Sequence, residues 1–248
     1  MIGFFGARSI HRNERENGGT LVGISFVGPG TRTRQSFDRS LNELSGILQA
    51  MGNDVVQALS QALQVWQTDD LNLAREVVSS DYRINRERIE LEERCTQLIA
   101  MQAPVARDLR RILAALTIAS ELERMGDHAK KIANIRLKSP QVAHLPMVPE
   151  VVAMGQPVMH LLMLALTAFS SLDVQAVQGI TIEEDEIDNR YRTIMNLLYA
   201  HIINHPEEAA AVMSLQRVAH KLERIGDRAT NIAEQVLYVA NARVIETN

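Results

Sequence analysis

Leu122-Glu-Arg-Met-Gly-Asp-His-Ala-Lys-Lys-Ile-Ala133 returns one hundred residues later as Leu222-Glu-Arg-Ile-Gly-Asp-Arg-Ala-Thr-Asn-Ile-Ala233, with eight of the twelve positions identical. Identity that dense within one chain marks an internal duplication. Each copy carries a Glu and an Asp four residues apart, Glu123 with Asp127 and Glu223 with Asp227. On a helix that spacing puts both carboxylates on one face, one turn apart. Each copy also holds a glycine beside its Asp, Gly126 and Gly226. Glycine inside a helix costs about 1 kcal/mol relative to alanine, so its retention predicts a close neighbour there, either another helix or a ligand.

Outward from these motifs the chain reads as helix. From Ser36 onward Phe37, Leu41, Leu44, Ile47/Leu48, Met51, Val55, Leu59, Leu63 and Trp66 recur at three- and four-residue steps. Thr68-Asp69-Asp70 offers a turn and an N-cap. A second helix is expected from about Leu71 to Gln102, ended by Pro104, and a third from about Val105 to Leu137. Ser139 to Pro149 holds three prolines and little periodicity, as a linker would. The pattern then repeats: Val151 to Leu172, with Pro157 in its first turns or at a kink; Asp173 to about Asn204; and a last helix opened by Pro206-Glu207-Glu208 and running to about Ala240. The expected fold class is all-α, two tandem three-helix bundles related by duplication. Residues 36–138 form the first bundle, 139–149 the linker and 150–242 the second bundle. Residues 1–35, which hold seven of the thirteen glycines, are expected to be a poorly ordered extension, with Leu21 to Val27 a short strand lacking a visible partner.

A second match joins the middle helices. Ser80-Asp81-Tyr82-Arg83-Ile84-Asn85 aligns with Glu183-Glu184-Asp185-Glu186-Ile187-Asp188, 103 residues apart. If the second and third helices of a bundle pack together, their acidic pairs converge. The second bundle then offers Glu184, Asp188, Glu223 and Asp227. The first offers Asp81, Glu123 and Asp127, with Asn85 in place of a fourth acid and Lys131 placed to neutralise Asp127. Nothing local is expected to do the same for Asp227. All-oxygen ligands suit Mg²⁺, Ca²⁺, Mn²⁺ or ferric iron, and with one cysteine and unclustered histidines a closed thiolate or imidazole zinc site is not expected. Spacing alone also fits a solvated acidic face without an ion.

Other features read plainly. His128 should point about 100° away from Asp127, to the surface or as an outer ligand. His220-x-x-Glu223 reverses the Glu-x-x-His order of dimetal helical bundles. Arg107, Arg110 and Arg111 read as a solvated face or a contact for an acidic partner. Net charge is −4, with pI near 6.0, so there is no electrostatic case for nucleic acid or an anionic membrane. The one cysteine, Cys95, reads as a buried thiol and fits a reducing compartment. No apolar run is expected to reach the roughly 20 residues of a membrane span, and the N-terminus lacks the order of a signal peptide. A soluble cytoplasmic protein is expected. No Walker loop, dinucleotide fingerprint, nucleophile elbow or HExxH occurs, so the expectation is not an enzyme.

At this point the chain resembles the PhoU family of phosphate-transport regulators. Four stretches carry the resemblance: Glu121-Leu-Glu-Arg-Met-Gly-Asp127, Lys221-Leu-Glu-Arg-Ile-Gly-Asp-Arg-Ala-Thr-Asn-Ile-Ala-Glu234, Gln102-Ala-Pro-Val-Ala-Arg-Asp-Leu-Arg110, and Asp70 to Asn85. It extends from about Ser36 to Ala240. The resemblance implies two symmetric three-helix bundles. It also implies paired acidic motifs for metal ions, carried here by Glu184, Asp188, Glu223 and Asp227, and in the first bundle by Asp81, Glu123 and Asp127, where Asn85 departs from the pattern. Iron, zinc, magnesium and manganese are all family occupants. The implied role is a cytoplasmic regulator, commonly a homodimer, linking the ATPase of the phosphate ABC transporter to a phosphate-sensing histidine kinase and holding starvation signalling off. A carboxylate-bridged metal enzyme and a metal-free helical scaffold are the alternatives.

Overall fold

The computed structural model describes residues 29–80 and 82–241. Helices α1 (Pro29–Thr68), α2 (Leu71–Ser80), α3 (Tyr82–Gln102) and α4 (Ala106–Lys138) form the first bundle. Helices α5 (Val148–Ala153), α6 (Gly155–Ser171), α7 (Val174–Asn204) and α8 (Ala209–Asn241) form the second. No strand occurs among the described residues. The strand expected over Leu21 to Val27 lies outside them, as does Asp81.

The apolar ladder of α1 is buried from Phe37 to Trp66, and Trp66 Nε1 donates to the Ile132 carbonyl at 3.3 Å, tying α1 to α4. Helix α1 starts eight residues before the ladder does. Its polar first turns need no core, because Arg34 pairs with Asp38 at 3.1 Å and with Asp108 of α4 at 2.6 Å. Asp70 and Asp173 cap their helices by accepting from the backbone N–H groups two and three residues on. Cys95 is buried, and burial pushes its thiol up to about 12, which leaves it inert.

The expected helix Val151 to Leu172 is divided. A turn at Met154 separates α5 from α6, and Pro157 sits in the first turn of α6, where its missing N–H has no helical partner to serve. The sequence stretch Val148–Ser171 also corrects the expectation about membrane spans. By length and composition it reaches that threshold, but most of it is buried inside the bundles. The connection at 139–149 is a packed piece of structure: Pro140–His144 forms a 3₁₀ turn, and Ser139, Val142 and Leu145 are buried.

The two bundles meet along α4 and α8, which run antiparallel. Arg110 donates to the Val239 carbonyl at one end, Glu121 meets Arg228 at 2.6 Å in the middle, and Ser139 and Ser214 share a hydroxyl hydrogen bond of 3.1 Å at the other end. Helices α1 and α6 add a reciprocal contact. A Cβ on Gly52 would fall 2.1 Å from Leu166 Cδ1, and one on Gly155 would fall 2.0 Å from Leu63 Cδ1. Each half thus offers a glycine hole to the other half's leucine, at positions 103 residues apart in both pairs.

The motif glycines are explained by helix packing. A Cβ at Gly126 would lie 2.7 Å from Ile84 Cδ1, so Ile84 would have to rotate away. At Gly226 the nearest atom, Ile187 Cγ2, is 3.5 Å away, an ordinary contact. Gly226→Ala is therefore expected to stabilise the protein by up to about 1 kcal/mol through helix propensity. Gly126→Ala should gain less or lose. Denaturant midpoints of the two variants check this; an equal response would refute the packing difference.

Candidate metal centre

In the second bundle α7 and α8 pack with Ile187 against Gly226. That register sets Glu184 and Asp188, one turn apart on α7, opposite Asp227 of α8. One carboxylate oxygen from each of these three residues lies within 4.8 Å of the others. All three are half-buried. Of the run Glu183 to Glu186, Glu184 alone joins the group.

Glu223 stands one turn before Asp227 on the same face. Its Oε2 is buried and no hydrogen bond reaches it. His220 Nδ1 is 3.3 Å away, but burial and the cations Lys221 and Arg224 hold that imidazole below its ordinary pKa, so it is neutral at neutral pH and forms no ion pair. The Glu223 carboxyl is pushed up to about 7, first by burial and then by the Asp227, Asp188 and Glu184 charges. Glu184 is raised by burial and by Asp188 and Asp227. Burial, with Asp188, raises Asp227 against the opposing pull of Arg224. Crowded, partly dehydrated carboxylates of this kind bind protons in place of the counter-charge they lack. A hard or borderline cation would supply that charge, and the buried, unpartnered Glu223 oxygen together with the all-carboxylate donor set fits one.

The expectation that nothing local neutralises Asp227 is corrected. Arg224, three residues before it, ion-pairs with Asp227, and Arg192 reaches Asp188 at 3.3 Å. This partner lies one turn back along the helix, whereas Lys131 lies one turn forward of Asp127. Tyr191 also borders the site, its ring 6.3 Å from that of His220. A tyrosine three residues after Asp188 carries no acidic signal, so sequence reasoning passed over it.

The first bundle differs. Asp127 is paired with Lys131. Asn85 is exposed and accepts from Arg88 at 3.3 Å. Among the described residues Glu123 and Asp127 join no group of three ligands. His128 is not on the surface, and among the described residues it joins no group of three candidate ligands. It is buried on the α4–α8 seam, 3.5 Å from the Arg228 guanidinium, and burial with Lys221 and Arg228 drives its pKa down to about 4. Arg110 and Arg111 are likewise half-buried, Arg110 on the seam and Arg111 dehydrated enough to lower its pKa. Only Arg107 keeps the solvated position expected of all three.

Two segments of the chain, residues 48–135 and 151–236, match the family model described as the PhoU domain. The chain belongs to the PhoU family. It is 32% identical over 206 residues to the phosphate-specific transport system accessory protein PhoU of Edwardsiella tarda, covering 83% of this chain and 85% of that one. To the Serratia marcescens protein of the same name it is 31% identical, over 82% and 83% of the two chains. The crystal structure of PhoU from Pseudomonas aeruginosa superposes with a TM-score of 0.77 at 29% identity, covering 84% of this chain and all of that one. The tandem all-α bundles are thus the PhoU fold, and each matched segment ends within the signature helix of its half.

Proposed function

We propose that this PhoU-family chain is an accessory protein of phosphate-specific transport that restrains phosphate uptake and the phosphate-starvation response. It works in the cytoplasm as a homodimeric adaptor, not as an enzyme, between the ATPase of the phosphate ABC transporter and the sensor histidine kinase. The observation that carries this reading is the likeness, across four-fifths of both chains, to proteins named for that transport system. Exposed apolar side chains where helices join, Met101 and Val105 in the first bundle and Ile203 and Met213 in the second, offer contact area for protein partners.

Glu184, Asp188, Glu223 and Asp227 would hold a cation such as magnesium, manganese, zinc or iron. Bound there, it would supply the positive charge that lets all four acids ionise together and would fasten α7 to α8. Arg192 and Arg224 already hold Asp188 and Asp227 in place.

Deletion of the gene in a host carrying the transporter and kinase tests the role. Phosphate uptake and phosphatase expression should both rise in phosphate-rich medium and return to normal on complementation. Unchanged levels of both would overturn the reading.

A further inference from the structure

Two histidines meet at the end of α7, away from the acidic motifs. His201 lies in the last turn of the helix and His205 caps it, and the His205 backbone N–H still donates to the His201 carbonyl at 2.8 Å. The two side chains therefore keep the i, i+4 register, and their rings lie 4.6 Å apart. Pro206 then turns the chain into the short 3₁₀ segment Pro206–Glu208, where the Glu208 N–H donates to the His205 carbonyl at 3.0 Å. That turn carries Glu208 back over the helix end, and its Oε2 lies 2.5 Å from His201 Nε2. Glu207 stands 3.6 Å from His205 Nδ1, which puts Nε2 on the other side of that ring.

We propose that His201, His205 and Glu208 bind one divalent zinc-type ion, which closes the α7–α8 turn. Two imidazoles at i, i+4 on a helix, joined by a carboxylate from the turn that follows, are a donor set that zinc takes, with water in its fourth position. Imidazole nitrogen suits zinc, nickel or copper, whereas carboxylate alone suits magnesium or manganese. Glu208 already meets His201, so only His205 has to move. Its side chain is 53% exposed, and Glu207 is beyond hydrogen-bond length. Until that ring turns, the three donors do not converge as Glu184, Asp188 and Asp227 do.

The ion lies far from those acids: Asp188 is thirteen residues back along the continuous α7, about 20 Å away. The site does not come with the duplication either. By the 103-residue register the first bundle has Leu98 and Gln102 in place of His201 and His205. What the ion fixes is a contact surface, since Ile203, between the two histidines, is 80% exposed. The inference rests on neither the carboxylate site nor the transport role.

Zinc is an ion that both sites can take, so the test uses the full-length chain with Glu184→Gln and Asp227→Asn already in place. Titration calorimetry at neutral pH should show one zinc bound. Adding His205→Gln, a change to an exposed side chain, should weaken that binding about tenfold or more, and so should His201→Gln or Glu208→Gln. His160→Gln, at an exposed histidine of α6, should leave it within about twofold. No zinc uptake, or an affinity that His205→Gln leaves in place, would overturn the site. Imidazole NMR gives the second readout. Zinc should shift the His201 and His205 ring resonances and leave those of His160 in place; shifts at His220 in their stead would refute the assignment. Amide exchange over residues 201–209 should slow about threefold or more with zinc, and unchanged exchange would refute the closing of the turn.

Discussion

Arg228→Ala is expected to lower stability by about 3–5 kcal/mol, the scale for removing one partner of a buried ion pair. At the roughly 2–4 °C per kcal/mol usual for a chain of this size, the thermal midpoint should fall by about 6–20 °C. Arg228 is 14% exposed and its partner Glu121 12%, so the carboxylate left behind has little water to turn to and keeps the exposed Arg124 guanidinium 3.8 Å away as a weak partner. His128 gives no relief. It is neutral, and its Nδ1 is itself buried and without a partner. Replacing both members with apolar residues, as in Glu121→Leu with Arg228→Met, should recover most of the loss, because no charge is then stranded. Calorimetry of the two single variants and the double variant checks this. A loss under about 1 kcal/mol for Arg228→Ala would place the pair in solvent-like surroundings.

The second large effect is expected at the four carboxylates, and its sign is unusual. Glu223 has a folded pKa of about 7 against an ordinary 4.5. Between those values the folded protein keeps a proton that the unfolded chain has released. The metal-free protein should therefore lose stability as pH rises from about 4.5 to about 7, and lose nothing further from this group above that. Glu87 adds a change in the same direction, so the comparison must be made between variants. At pH 7.5 a cation at one hundred times its dissociation constant should restore about 2.7 kcal/mol, or roughly 5–10 °C. Glu184→Gln with Asp227→Asn should abolish that gain. The same change should make the metal-free protein more stable at pH 7.5, because mutual repulsion is relieved. Melting curves of both proteins with magnesium, manganese, zinc and ferric iron decide it. If no ion shifts the wild type, or if the double variant responds equally, these residues are not a metal site.

The parts of this molecule that could be read from its sequence were those repeated within it or set by helical period. The α1 ladder from Phe37 to Trp66, the caps at Asp70 and Asp173 and the duplicated motif each follow a local rule that one helix suffices to express. The seam between the bundles follows no such rule. Across it Glu121 faces Arg228 and His128 faces Lys221, yet in the alignment of the two copies these are mismatched positions: Glu121 beside Lys221, His128 beside Arg228. Identical positions also meet across the halves, where Gly52 receives Leu166 and Gly155 receives Leu63. The Glu121–Arg228 pair brings opposite charges together where one copy meets the other. The candidate site was legible as residue types, but its electrostatics were not. Arg224 and His220 reach Asp227 and Glu223 from the preceding turn, and the buried Glu223 oxygen depends on packing that no spacing reports.

The antiparallel seam has a consequence for synthesis on the ribosome. Helix α4 ends at Lys138 and its partner α8 begins only at Ala209. At about 5–20 residues per second the nascent chain waits roughly 4–14 s between the two. During that interval the first bundle can close on itself, but the α4 face that α8 will cover remains in water. Glu121 on that face keeps its hydration until Arg228 emerges, which helps keep the half-made protein soluble until its second half arrives.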